Sequence, residues 1–464
     1  MSLPIQHRLR EALDSLWDSL VDPREAWFDD AEGLAWLPVA GTAGGRVAAD
    51  PTLGEAQLAE IRAQCRALAA TNEFAINGHE NRISYIVGSG HTYRAAPRKG
   101  AAVAADLLAR VQGTLDEFFE RTGWAHRQQE IVRRLDRDGE AFLRFFVTAA
   151  EELELRFVEP GQVATPARLA GDPSASFGIG VDPRDVERRL VYYVDGQPVD
   201  AAEIQHRKLG VDSNVKRGLP LFYPVRKNLR RAEKLLRNMS AVAEIQSAIA
   251  LVRKHQRRTR STVEQFVAGQ ADHTAVSSSG RTQYSQRIEP GTILDVDAAV
   301  DYDFPDAGID AGRFVQVLQA ELRAIASRLV MPEFMLTSDA SNANFASTMV
   351  AEGPAIKMFD RLQAEQAQHD LAVMWRVIGQ AAAAGRLPAD VRRQVEIQVG
   401  RPSLHVRDLL KESEAHRIAF EAGVLSPQTW SQRLGLDYEQ EQANRRHGIP
   451  SPPAPQPRGE GRTA

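Results

Sequence analysis

The stretch RKNLRRAEKLLRNMSAVAEIQSAIALVRKHQRRTR, Arg226 to Arg260, constrains this chain more than any other part of it. Leu229, Ala232, Leu236, Met239 and Ala243 share one stripe at helical spacing, and Arg226, Arg230, Lys234 and Arg237 share another. At about 1.5 Å per residue, the predicted helix is about 50 Å long, well beyond the usual three or four turns. An ordinary compact core cannot receive it. A second amphipathic helix is predicted from Asp310, its N-cap, through Phe314, Val317, Leu318, Leu322, Ile325 and Leu329 to a stop at Pro332. Between the two lies a Ser-, Thr-, Gly- and Asp-rich segment containing PGTILDVD, which reads as a small projecting β element. The layout is helix, insertion, helix.

Charge is regional. The whole chain of 464 residues carries 57 Lys and Arg against 61 Asp and Glu, a net of −4, so no global pull toward nucleic acid or acidic membranes exists. Lys216 to Arg260 nevertheless holds 13 basic residues against Glu233 and Glu244, and Ser261 to Gly308 holds eight acids against Arg281 and Arg287. For a single copy, a solvated polar face explains the basic helix; if several copies surround an axis, each basic cluster becomes a ring and the fields add. The single cysteine, Cys65, excludes an internal disulfide and fits a reducing compartment. The N-terminal MSLPIQHRLREALDSLWDSL mixes charges with apolar positions, unlike a signal peptide, and no run of about 18 to 20 uncharged apolar residues predicts a membrane span.

Motifs for catalysis are missing. There is no GxxxxGK[ST], HExxH or GxSxG, and no histidine lies at metal-binding spacing from another histidine or cysteine, so no metal or cofactor is expected. Gly88-Ser89-Gly90 reads as a turn. Asp136-Arg137-Asp138-Gly139-Glu140 superficially resembles a calcium loop, but its spacing is out of register, and turn chemistry between a helix and a strand is the preferred reading. Asp295, Asp297, Asp301, Asp303 and Asp306 are a possible magnesium site for phosphodiester hydrolysis. Without accompanying Lys, His or Glu, a solvated acidic loop is preferred.

The remaining pattern predicts an α+β fold. Residues 1 to 70 read as helical pieces, with Leu9, Leu13, Leu16 and Leu20 on one side of the first. A β-branched run at Ile83 to Val87 is followed by helices at Leu107 to Arg121 and Trp124 to Leu135. Strands are expected at Ala141 to Val147, Leu153 to Val158 and Leu190 to Val194, the last entering an Asp195-Gly196 hairpin turn. A third helical region runs from Phe345 to Ala384, with a kink signal at Gly353-Pro354 and an end at Gly385 and Pro388. After the strand-like VEIQV and a helix at Leu409 to Ala422, the tail PSPPAPQPRGEGRTA is expected to be disordered.

The phrases RLDRDGEAFLRFF, LELRFVEP and EIQHRKLGVDSNVKRGLPLFYPV, running into the basic helix, resemble the head-to-tail portal proteins of tailed bacteriophages. So do ELRAIASRLVMPEFMLTSDASNANFASTMVAEGPAIKMFDRLQ and the C-terminal GVLSPQTWSQRLGLDYEQEQAN, so that the resemblance spans about residues 70 to 445. It implies a portal-type subunit in a ring of twelve at one capsid vertex of the virion, assembled in the host cytoplasm, through which double-stranded DNA passes during packaging and ejection. Carried onto this chain, residues 1–225 form the wing, 226–260 and 310–331 antiparallel stem helices, 261–309 the clip, 332–345 a tunnel loop, 346–445 the wing helix and crown, and 446–464 the tail. The implied basic stem residues are Arg226, Lys227, Arg230, Arg231, Lys234, Arg237, Arg253 and Lys254. Thr337, Ser338, Ser341, Asn342 and Asn344 of the tunnel loop offer short neutral groups that touch phosphates without gripping them, although Ser341 or Asn344 serves equally as a plain helix N-cap. The five aspartates from Asp295 to Asp306 become the clip surface for a large terminase ATPase, which must power translocation in a chain without a nucleotide loop, and later for a head–tail adaptor. The major capsid or scaffold protein is a further implied partner. A metal-dependent nuclease on the same aspartates and a scaffold without a DNA role are the rival readings.

Overall fold

The computed structural model describes residues 42–43, 46–47, 53–255, 273–276, 282–285, 292–297, 311–339, 345–404, 409–434, 436 and 438–446. They fall into two compact units, Met1–Pro224 with Asp339–Ala464, and Val225–Ser338. The first unit begins with a short hairpin, β1 (Thr42–Ala43) and β2 (Arg46–Val47), followed by α1 (Glu55–Thr71), α2 (Glu73–Ile86), β3 (Thr92–Pro97), α3 (Ala105–Thr122) and α4 (Trp124–Asp138). Strands β4 (Glu140–Val147), β5 (Leu153–Val158), β6 (Ile179–Asp182), β7 (Asp185–Val194), β8 (Gln197–Asp200) and β9 (Ile204–Lys208) complete its first pass. The second unit holds α5 (Arg226–Ala248), β10 (Ile249–His255), β11 (His273–Val276), β12 (Thr282–Ser285), β13 (Thr292–Asp297), α6 (Ala311–Leu329) and α7 (Glu333–Thr337). The chain then returns to the first unit as α8 (Phe345–Ala383), α9 (Val391–Gln394), β14 (Val395–Gly400), α10 (Leu409–Glu421), α11 (Pro427–Arg433) and α12 (Tyr438–Arg446).

The architecture is α+β, as the pattern predicts. In the first unit β4 is central, flanked antiparallel by β5 and β9. Because side chains alternate across a strand, its two faces enter different cores. Leu143 and Phe145 join Val111, Leu115 and Phe118 of α3, Trp124 and Ile131 of α4, and Val373, Val377 and Ile378 of α8. Phe142 points the other way, into a core with Tyr192, Val199 and Ile204 over the β6–β7–β8 sheet. The α3 stripe Leu107, Val111, Leu115 and Phe118 is the i, i+4 spacing that puts all four on one buried face. Asp195 and Gly196 both take positive φ, 49° and 77°, as a two-residue turn between antiparallel β7 and β8 requires.

Two segments differ from their local pattern. The β-branched run Ile83 to Val87 is the end and C-cap of α2, whose Asn72 cap accepts from the Ala75 amide at 3.1 Å. Ala75, His79, Arg82, Ile83 and Ile86 recur every three or four residues on its buried face, so the helical period outweighs the local β-branched pair. The long helix also stops early. Residues 226–248 are helical, about 35 Å by rise, and Ile249–His255 instead pairs in parallel with Thr292–Asp297. The apolar run Ile249-Ala-Leu-Val fits a strand as well as a helix, and a distant ladder partner decides between them. Residues 256–260 lie outside the described set, as do the N-terminal helix around Leu9 to Leu20 and the tail. By contrast, α8 runs unbroken through Pro354 to Ala383.

Candidate functional site

On α5, Leu229 and Ala232 are fully buried, while Arg230, Arg231 and Arg237 are exposed and Arg226, Lys227 and Lys234 half-buried. The first turns of the apolar stripe are therefore buried, while Leu236 and Met239 are half-buried and Ala243 is exposed; the outward basic residues are Arg230, Arg231 and Arg237. α5 packs on α6, whose Leu318, Leu322, Ile325 and Leu329 are buried. Glu321 of α6 ties the pair: it accepts from Asn228 at 2.7 Å and meets Arg231 at 3.0 Å. Arg237 pairs with Glu233 one turn away, and Arg323 of α6 reaches Glu333 of α7 at 2.7 Å.

The insertion begins and ends beside itself. In the parallel ladder Arg253 lies opposite Asp295, Lys254 opposite Val296 and His255 opposite Asp297. One of the expected clip aspartates, Asp295, thus sits in register with one of the expected stem cations, Arg253, and a second, Asp297, with His255. Asp301, Asp303 and Asp306 lie outside the described residues. Among the described residues no group of three or more His, Cys, Asp and Glu is placed to hold a metal ion.

The tunnel-loop residues divide as well. Thr337 is the last residue of α7, with its hydroxyl donating to the Glu333 carbonyl at 3.0 Å, so the one-turn helix Glu333–Thr337 occupies what the sequence suggests as open loop. Ser338 follows with φ +58°. Ser341, Asn342 and Asn344 lie outside the described residues.

A buried ionic cluster in the first unit was not foreseen. Asp136, Asp138 and Glu140, read from sequence as a turn, are the end of α4 and the start of β4, with no more than 1% of their surfaces exposed. Asp136 accepts from Arg82 Nε and Nη2, each at 3.0 Å, and faces His79 at 3.3 Å. Asp138 pairs with Arg66 and Arg137. Glu140 gathers Arg62 (2.6 Å), Arg217 (2.6 Å), His206 (3.1 Å) and the Gly218 amide (3.1 Å). Burial alone would raise the carboxyl of Glu140, but the Arg217 and Arg62 guanidiniums outweigh it and hold the group well below the usual range. Burial pushes Arg62 down to about 10 and His206, stacked on Phe142, down to about 3.

This cluster fixes the segment that leads into α5. Arg217 Nη1 donates to the carbonyls of Val163 and Phe177 at 2.8 Å, and Lys216 Nζ to those of Pro173, Ser174 and Ile179 at 2.9 to 3.1 Å. Burial takes the Lys216 ammonium down to about 8. The backbones then touch: Leu209 N–H donates to Gly139 O at 2.7 Å and Leu221 N–H to Asp136 O at 2.8 Å. A Cβ on Gly139, which has φ +81°, would stand 2.3 Å from the Leu219 carbonyl carbon, and one on Gly218 1.9 Å from Gly139 O. Only glycine fits this crossing. A second buried network joins Asp370 of α8 to Tyr93 (2.6 Å), Gln128 (2.7 Å) and Arg207 (2.8 Å). The sequence signal for either network is faint, since its partners lie tens to hundreds of residues apart.

No catalytic constellation emerges from these groups; what they do is anchor backbone. Among solved structures the chain is similar to the neck of an empty gene transfer agent particle computed with C6 symmetry, at 15% identity and TM-score 0.41, covering 81% of this chain and 93% of that one. It is similar to the neck of a native gene transfer agent particle computed with C12 symmetry, at 16% identity and TM-score 0.36, covering 84% and 96%. An HK97 family phage portal protein from Corynebacterium diphtheriae aligns at 13% identity and TM-score 0.31, covering 72% and 94%. No curated protein matches. The family described as phage portal protein, lambda family, matches residues 41–363, well over half of the chain, and takes in both the buried cluster and helices α5 and α6 of the second unit. This chain belongs to the lambda family of phage portal proteins.

Proposed function

We propose that twelve copies of this chain close into a ring at one vertex of a phage capsid and conduct double-stranded DNA during packaging and ejection. In this reading the chain is structural and the chemistry falls to partners: a terminase ATPase that drives DNA inward and an adaptor that later replaces it. The observation that carries the reading is the family match over residues 41–363. In this reading α5 and α6 belong to the stem, residues 261–309 to the clip, the polar stretch Thr337 to Asn344 to a loop toward the channel, and the first unit to the wing and crown against the capsid protein. The exposed Arg230, Arg231 and Arg237, with the half-buried Arg226, Lys227 and Lys234 on the same helix, support a DNA-facing wall. Partial pairing of Arg231 and Arg237 with glutamates suits that role, because each phosphate neutralised by a free cation strengthens binding and slows passage. No described helix is long and apolar enough to cross a membrane.

Negative-stain imaging of the purified protein tests this. Rings with a common axis and a hole wide enough for a duplex are expected; compact particles without an axis, under conditions that favour assembly, would overturn the proposal.

A further inference from the structure

Arg98 and Lys99 follow β3, and Arg392 and Arg393 lie in α9, immediately before β14. Almost 300 residues apart in sequence, the two pairs meet because β3 and β14 are antiparallel neighbours with Pro97 opposite Val395. The Arg98 amide donates to Gln394 O at 2.9 Å, and its Nη1 donates to the Arg392 carbonyl at 3.1 Å. All four cations are exposed, and none has a carboxylate within ion-pair distance among the described residues. The acid of that turn, Asp390, accepts from Gln394 at 2.9 Å. The Arg392 guanidinium lies over the Trp375 ring, 5.3 Å from its centroid. Two of the three arginines are therefore held in place before any partner arrives.

We propose that Arg98, Lys99, Arg392 and Arg393 form a second contact surface for the phosphate backbone of duplex DNA, on the first unit and separate from the basic helix α5. Preset planar guanidiniums match phosphate oxygens in pairs, and pre-ordering spares the entropy that flexible cations lose on binding. An acidic protein surface is the competing partner. It fits less well: protein interfaces place aromatic or aliphatic anchors at their centre, and no large apolar side chain is exposed between residues 92 and 101 or between 388 and 400. A patch of charge without such an anchor suits a polyanion read without regard to sequence. The inference rests on the portal reading and adds to it a site where DNA is held outside the stem.

The test uses the full-length protein, a fluorescent duplex of about 30 base pairs, and salt between about 50 and 200 mM. K99E/R393E changes two exposed side chains that make no hydrogen bond or ion pair among the described residues, so folding is expected to be preserved; R230Q/R237Q on α5 is the comparison. K99E/R393E is expected to weaken binding at least about tenfold and to lower the slope of log affinity against log salt by about 2 units, with the α5 variant acting independently. Unchanged affinity and slope in K99E/R393E, with weakening in R230Q/R237Q, would overturn this surface and leave the conduit intact. Polyglutamate bound as tightly as duplex, and released by K99E/R393E, would reassign the patch to an acidic protein. If the unmodified protein, in rings or as single chains, binds no duplex, this surface and the conduit fall together.

Discussion

Glu140 and Arg217, 77 residues apart, are joined by three charge-assisted contacts onto a carboxylate with no solvent exposure: Nε donates to both oxygens at 2.9 and 3.0 Å, and Nη2 to Oε1 at 2.6 Å. Arg62 reaches the same oxygen at 2.6 Å. One buried anion thus serves helix α1, strand β9 through His206, and the segment entering the second unit.

Replacing that anion leaves two guanidiniums facing each other in a dry interior. Glu140→Gln is expected to lower unfolding free energy by about 3–5 kcal/mol, because breaking a buried pair from one side strands its partner. Urea denaturation at pH 7 measures it. A loss below about 1 kcal/mol would show that water reaches the cluster.

Acid acts on the same groups. Burial would raise Asp136, but Arg82 and His79 outweigh it, and Glu140 is likewise depressed, so both stabilise above their unfolded values of 3.8 and 4.5 and lose that contribution as pH falls through the lower folded values. His206 begins earlier. Its folded value is about 3 against 6.5 unfolded, so the unfolded chain takes the proton first; stability is full above about 6.5 and declines with acidification toward 3. By pH 5 the loss from His206 is about 2 kcal/mol. Urea midpoints at pH 7, 6 and 5 are expected to fall, and H206Q to flatten that decline; an equally steep decline in H206Q would remove His206 as its source.

Gly139→Ala is expected to cost at least about 3 kcal/mol, since a positive φ and a collision with backbone coincide there. Gly161→Ala is the control: nothing lies within 4 Å of its added Cβ, and its Tm is expected to stay within about 2 °C. Thermal melts of both variants decide whether the crossing at Leu219 is as tight as the geometry has it.

Charge reversal in the acidic segment probes the motor contact. D301K/D303K/D306K is expected to reduce terminase-dependent DNA packaging about tenfold or more while leaving rings intact, because opposed charges steer docking. Packaging at the unmodified rate would remove those aspartates from the docking surface.

Elements governed by local pattern were legible from sequence. Leu153–Val158 was placed to the residue, the Asp195-Gly196 turn by its chemistry, and the end of α8 by Gly385 and Pro388. Elements decided by distant partners were not. Ile249–His255 becomes a strand only because Thr292–Asp297 arrives beside it, and Asp136, Asp138 and Glu140 look like turn residues until Arg62, Arg82 and Arg217 converge on them. Periodicity carries no record of such encounters. The surface at Arg98 and Arg392 was hidden for the same reason, as neither dipeptide is notable alone.

The parallel ladder between Ile249–His255 and Thr292–Asp297 has a consequence for how this protein can change. Because the two strands run the same way, the chain leaves the first beside Asp297 and enters the second beside Ile249, so His255 and Thr292 are held at opposite ends of the ladder, roughly 20 Å apart. The connection between them has to cross back over that distance. The ladder thus sets a fixed span that substitutions within 256–291 leave in place while α5 and α6 keep their own packing.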